Sequence, residues 1–187
     1  MRRIVMKLRN ESYEVNISID PTYTLGSADN VMKYDHILVA HGLEHGDYYS
    51  TFCINIISGE QESTIALIGG ADCDDSECAV LEGDILTVLQ NEFITGIDLA
   101  KCNILHSRKI PHSHVNYALF RVSGGLVIYG ELDITGLDSN YNVVWKYGAR
   151  DIITDFKILE DRIEYSDWSG YDYEIDLDNA WHTNDQP

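Results

Sequence analysis

Lysine and arginine are scarce: 13 of them stand against 31 aspartates and glutamates in 187 residues, a formal charge of −18. Nucleic-acid backbones are held by clustered Lys and Arg, so direct binding of DNA or RNA is disfavoured. Docking on anionic membranes is disfavoured for the same reason. Only three prolines occur, and no low-complexity stretch marks a linker. No run of about 18 apolar residues exists, which excludes a transmembrane helix. Four cysteines are few for a secreted disulfide framework in a chain this long. Met1-Arg2-Arg3-Ile4-Val5-Met6-Lys7-Leu8-Arg9 starts like a signal peptide, but Lys7 and Arg9 interrupt its apolar part. The expectation is a cytoplasmic protein with reduced thiols. The length suits a single domain, 1–187, large enough to bury a core.

The charge is uneven. Residues 34–100 hold 13 acids and no Lys or Arg. Residues 151–187 hold 11 acids and two basic residues. The stretches 1–33 and 101–150 carry +1 and +3. Such segregation is read either as a solvated acidic surface or as one negative face that meets a positive partner.

The local pattern is strand. Apolar and polar residues alternate through Tyr13, Val15, Ile17 and Ile19, through Ile152, Thr154, Phe156 and Ile158, and through Tyr171, Tyr173, Ile175 and Leu177. Turn signals separate the runs at Gly69-Gly70, Gly83-Asp84, Gly124-Gly125, Ser139-Asn140, Glu160-Asp161 and Ser169-Gly170. Gly83-Asp84 interrupts Ala79 to Leu89, the best helical candidate, which therefore reads as strand. No amphipathic helix of three turns is expected.

An internal repeat organises these strands. Apolar segments ending in Asp recur at Ile17-Ser18-Ile19-Asp20, Ile97-Asp98, Ile134 to Asp138, and Tyr173 to Asp176. Asp98 to Asp138 is 40 residues, Asp138 to Asp176 is 38, and Asp20 to Asp98 is 78. A weaker copy falls at Ile54-Asn55-Ile56-Ile57-Ser58. Further strands are expected at Asp151 to Leu159 and at Asn179-Ala180-Trp181. Four short strands in about 40 residues is the period of a β-propeller blade. The expected fold is all-β: a small β-propeller of four to five compact blades, with repeats near 1–30, 31–70, 71–110, 111–150 and 151–187. A β-sandwich is the alternative.

The stretch from Asp138 through Trp145 has the pattern Asp-x-Asn-x-x-Val-x-Trp. Gly170 through Leu177 has Gly-x-x-Tyr-x-Ile-Asp-Leu. These segments resemble blades of the WD-repeat and quinone-propeller classes. The resemblance covers about the last 65 residues well and the first 80 poorly. It concerns architecture, and it carries no cofactor-binding set to this chain.

Several clusters invite chemistry. His41 and His45 lie four apart around Glu44, but Gly42 and Gly46 favour a turn over a zinc-binding helix. Asp72-Cys73-Asp74-Asp75-Ser76-Glu77-Cys78 is the densest acidic run. It lacks the calcium-loop order and a defined second half of a zinc site, so it reads as an exposed acidic loop or a protein-binding loop. His106 to His114 is the one basic patch, and it holds no nucleophile elbow. Phosphate-binding glycine loops are absent. The repeat aspartates Asp20, Asp98, Asp138 and Asp176 are read as turn residues that accept backbone N–H groups. Convergence on a central channel, in the manner of glycosidase carboxylates, is the alternative. Asp167-Trp168-Ser169-Gly170-Tyr171-Asp172 is a turn rich in acids and aromatics, either a binding hot spot or a core Trp at a strand end.

No catalytic motif, cofactor site or metal site emerges, so the chain is expected not to be an enzyme. In size, charge and fold type it is similar to immunity proteins of bacterial toxin–immunity pairs. That resemblance implies a basic protein partner, a nuclease toxin, occluded by carboxylates and aromatic anchors. The candidate contacts are Asp72, Asp74, Asp75, Glu77, Asp167, Trp168, Tyr171 and Asp172. The alternative is a propeller that binds or hydrolyses a small ligand such as a carbohydrate, for which the 12 tyrosines would supply stacking surfaces.

Overall fold

The computed structural model describes residues 4–44, 49–71, 77–110 and 115–182. It is all-β, with four blade-like sheets and one short helix among the described residues. Four small sheets, where a sandwich would have two large ones, set the sandwich alternative aside. The chain divides into two compact units, Met1–Pro111 and His112–Pro187.

The first unit opens with β1 (Ile4–Arg9), β2 (Glu14–Ile19), β3 (His36–Val39), β4 (Ser50–Ser58) and β5 (Gln61–Gly69), in the order β1-β2-β4-β5-β3. The segments 1–30 and 31–70 thus share one five-stranded sheet rather than forming two blades. The reason is local. Residues 20–35 contain no strand, and β3, only four residues long, lies parallel to β5. The β1–β2 hairpin therefore adds to β4, with Val15 opposite Ile56 and Ile17 opposite Ile54. The second sheet is a meander of β6 (Ala79–Glu82), β7 (Ile85–Gln90), β8 (Phe93–Asp98) and β9 (Asn103–Lys109). Gly83 makes the β6–β7 turn at φ +55°. The two sheets of this unit are tied together by the Gln90 side chain. Its Nε2 donates to the carbonyls of Ser50 (3.4 Å) and Leu67 (3.3 Å).

The second unit holds the meander β10 (Asn116–Val122), β11 (Gly125–Gly130), β12 (Asp133–Leu137) and β13 (Val143–Gly148). A three-stranded sheet follows, β14 (Ile153–Ile158), β15 (Arg162–Asp167) and β16 (Asp172–Asp176), and then helix α1 (Leu177–His182). The core between these sheets gathers Val127, Ile134, Trp145, Ile153, Ile163, Tyr165, Ile175, Leu177 and Ala180. Tyr129 stacks on Phe156 with ring centroids 4.6 Å apart.

Asn179-Ala180-Trp181, expected as a strand, belongs instead to α1. Asp176 causes the change: its Oδ1 accepts the Asn179 N–H at 2.8 Å, an N-cap that starts a helix. The helix then places Trp181 over Gly124 and Gly125, where a Cβ would have no room. Asp176→Ala is expected to cost about 1 kcal/mol of stability, read from the urea midpoint of the second unit.

Candidate protein-binding surface

The β15–β16 turn is built around Asp167. The Asp167 N–H donates to the Tyr171 carbonyl at 3.0 Å, and the Gly170 N–H donates to the Asp167 carbonyl at 2.9 Å. Gly170 takes φ +81°, a conformation that favours glycine. The Asp167 carboxylate accepts the Tyr171 N–H at 3.1 Å and the Tyr173 hydroxyl at 2.6 Å. Asp167 is only 3% exposed, so it departs from its expected role as a partner contact. It shapes the turn from within.

Burial pushes the Asp167 carboxyl pKa up, but hydrogen bonds from Tyr173 and from neighbouring backbone N–H groups outweigh this and hold it below the ordinary value. The unfolded chain titrates near about 3.9. The contribution of Asp167 is thus present above that pH and is lost as pH falls through the lower folded value. An acid titration followed by tryptophan emission is expected to show a transition below about pH 4 that Asp167→Asn reduces.

The turn presents its aromatics outward. Trp168 is 76% exposed, which rules out the core alternative for this residue, and Tyr171 is 49% exposed. The Trp168 N–H donates to the Ile152 carbonyl at 2.8 Å, so the backbone under the ring is held while the ring is free. The Arg150 guanidinium carbon lies 4.4 Å from the Tyr171 ring centroid, a cation–π contact. Ser169 Oγ donates to Asp151 Oδ2 at 3.0 Å.

Ile152 completes the patch, against expectation. Simple alternation puts Ile152 in phase with Phe156 and Ile158. A bulge between Ile153 and Asp155 reverses that phase. Ile153 is buried in the core, and Ile152 is left 41% exposed beside Trp168.

A groove of about 420 Å³ runs along the outer face of the same sheet. Asp155 lies opposite Ser166, and Ser166 opposite Asp172; Lys157 lies opposite Glu164, and Glu164 opposite Glu174. This register puts four carboxylates and one ammonium on one face. Ser166 Oγ donates to Asp172 Oδ1 at 2.7 Å and joins the groove to the turn. Arg162 at its end is engaged by Glu164 at 2.8 Å and Asp161 at 3.1 Å. The face therefore keeps a net negative charge. Asp155, Glu164 and Glu174 were not singled out in the sequence, because only the strand register shows that they share a face.

Among the other expected contacts, Asp72, Asp74 and Asp75 lie outside the described residues. Glu77 is exposed in the first unit. His45, Cys73, His112 and His114 also lie outside the described residues. His41 sits in a turn before Gly42 and donates its backbone N–H to Ser107 Oγ at 3.0 Å. Cys78 is fully buried. No group of three metal-ligating side chains occurs among the described residues.

Three of the repeat aspartates act in turns, as expected. Asp20 accepts the Thr22 N–H at 3.2 Å, and Asp98 accepts the Lys101 N–H at 3.0 Å. Asp138 accepts the N–H groups of Asn140 and Asn142, both at 2.8 Å. Asp176 caps α1. The Asp98 carboxyl lies below its ordinary pKa, chiefly through its hydrogen bond with the Lys101 ammonium at 2.7 Å.

No family model matches the chain, and no curated protein matches it. Solved structures do. BamB from Moraxella catarrhalis, a β-propeller protein, superposes with a TM-score of 0.50 at 6% identity over 70% of this chain. The computationally designed Ika4 protein gives 0.47 at 11% identity over 74% of this chain and 96% of its own. A HIRA fragment, residues 644–1017, gives 0.47 at 10% identity over 94% of this chain and 49% of its own. This chain spans 41% of the BamB chain. The likeness to BamB is one of fold: the sheets are propeller-type blades.

Proposed function

We propose that this chain is an acidic binding protein that neutralises a basic protein partner, as an immunity protein that occludes the active-site cleft of a bacterial nuclease toxin. The observation that carries the reading is the pairing, on one blade, of an exposed aromatic turn with a carboxylate-lined groove. A nuclease cleft is lined with Lys and Arg because it must hold phosphates. Asp155, Glu164, Asp172 and Glu174 offer such a cleft replacement anions. Trp168, with Ile152 and Tyr171 beside it, supplies the apolar anchor that charge alone lacks. The overall charge of −18 adds long-range attraction and speeds encounter. Nothing catalytic is needed, because covering the cleft is the whole activity.

The test is a neutralisation assay. Products of genes adjacent to this one are expressed singly, with and without this chain, and cell survival and nucleic-acid cleavage are measured. The reading expects one toxic product whose cleavage stops at equimolar ratio. Absence of protection against every neighbouring product contradicts it.

A further inference from the structure

Among the described residues, the last sheet holds one strand fewer than the two meanders. The sheets β6–β9 and β10–β13 each have four antiparallel strands, whereas β14–β16 has three. Helix α1 does not fill the gap. Leu177 and Ala180 turn into the core with Trp145 and Ile163. Among the described residues, no strand pairs with the outer edge of β16.

The hydrogen-bond phase of the hairpin identifies what that edge displays. The Asp167 N–H donates to the Tyr171 carbonyl, and the Leu177 N–H donates to the Asp161 carbonyl at 2.9 Å. Tyr173 and Ile175 lie in the same phase and direct their backbone groups at β15. Asp172 and Glu174 therefore direct their N–H and C=O groups away from the sheet, as Asp176 does its N–H, while the Asp176 carbonyl is taken up by the first turn of α1. Their side chains share the outer, acidic face.

We infer that the free edge of β16 is a strand-pairing site for an extended segment of a basic protein, antiparallel to β16, with Lys or Arg at alternate positions. Main-chain bonds to Asp172 and Glu174, with the Asp176 N–H, would supply the attachment. Lys or Arg opposite these residues would face carboxylates across the ladder, and small apolar residues would lie opposite Tyr173 and Ile175. Opposite charges directly across an antiparallel pair stabilise it, and like charges oppose it. The same carboxylates that keep identical edges apart thus select a basic strand. The choice of a basic partner rests on the proposed function; the open edge does not.

The probe is a fluorescein-labelled seven-residue peptide of alternating Lys and Val, titrated against the full chain by fluorescence anisotropy. Two further versions carry N-methyl groups on the lysine amides or on the valine amides. In antiparallel pairing the lysine amides face β16, so their methylation is expected to weaken binding at least tenfold. Methylating the valine amides is expected to change it less than twofold. Glu174→Pro removes an outward N–H while leaving the β15 bonds intact, and is expected to abolish binding. Glu174→Gln, which keeps the N–H, is expected to weaken it by a few fold.

Equal binding of the two methylated peptides, or no binding of the parent, overturns the inference. A concentration-dependent dimer that Glu174→Pro abolishes overturns the choice of occupant, since a second copy would then fill the edge. Trp168→Ala separates the two proposals: peptide pairing is expected to survive it while toxin neutralisation falls. Neutralisation that persists in Glu174→Pro overturns the edge inference and leaves the proposed function standing.

Discussion

Replacing Trp168 with Ala is expected to weaken binding of the basic partner at least thirtyfold, about 2 kcal/mol. The ring is 76% exposed in the free chain, so its removal takes little from the fold. Its backbone is held by Ile152 and by the Asp167 turn, so little ordering remains to be done on association. The loss is expected in the dissociation rate. Glu164→Gln and Asp172→Asn on the groove are expected to act differently, lowering the association rate and flattening its dependence on salt. Stopped-flow kinetics of the complex at several ionic strengths separates the two effects. Unchanged dissociation in Trp168→Ala would remove the aromatic turn from the interface.

Trp145→Ala is expected to destabilise the second unit by about 3–5 kcal/mol. Trp145 is 7% exposed and lies directly across the ladder from Gly136. Its ring covers that glycine so closely that no Cβ fits, and it meets Trp181 edge to face at 5.3 Å. Deleting it opens the seam that joins β12, β13 and α1. Gly136→Ala attacks the same contact from the other side and is expected to cost about 1–3 kcal/mol by overpacking. All three tryptophans, Trp145, Trp168 and Trp181, lie in the second unit. Tryptophan emission during urea unfolding therefore reports this unit by itself. A midpoint unchanged in Trp145→Ala would contradict the packing described for it.

Much of the fold was legible because its signals are local. Gly83-Asp84, Gly124-Gly125 and Ser169-Gly170 each close a hairpin, and Asp20, Asp98 and Asp138 each close a turn. Those signals depend on a few neighbouring residues. What was illegible depends on pairing across distance or on one inserted residue. The union of 1–30 with 31–70 follows from β2 choosing β4, which no local pattern encodes. The exposure of Ile152 follows from a bulge, which leaves composition unchanged and reverses the phase. The end of the last repeat turned helical because Asp176 caps as readily as it turns, and its sequence context fits both. Asp167 and Trp168 come from the same motif, and only the structure separates the buried Asp167, which organises the turn, from the exposed Trp168. The acidic groove was the hardest to foresee: it takes one strand register to bring Asp155, Glu164 and Glu174 from three strands onto one face.

The proposed function stands or falls with the binding of a basic protein to the acidic, aromatic face of the last blade. The most direct measurement is a pull-down from lysate of the source cell at low and high salt, with wild type and Trp168→Ala side by side, read by mass spectrometry. One basic protein is expected to be retained by wild type at low salt, released as salt screens the contact, and missing from the Trp168→Ala lane. Retention of no basic protein, or retention indifferent to both salt and Trp168, would contradict it.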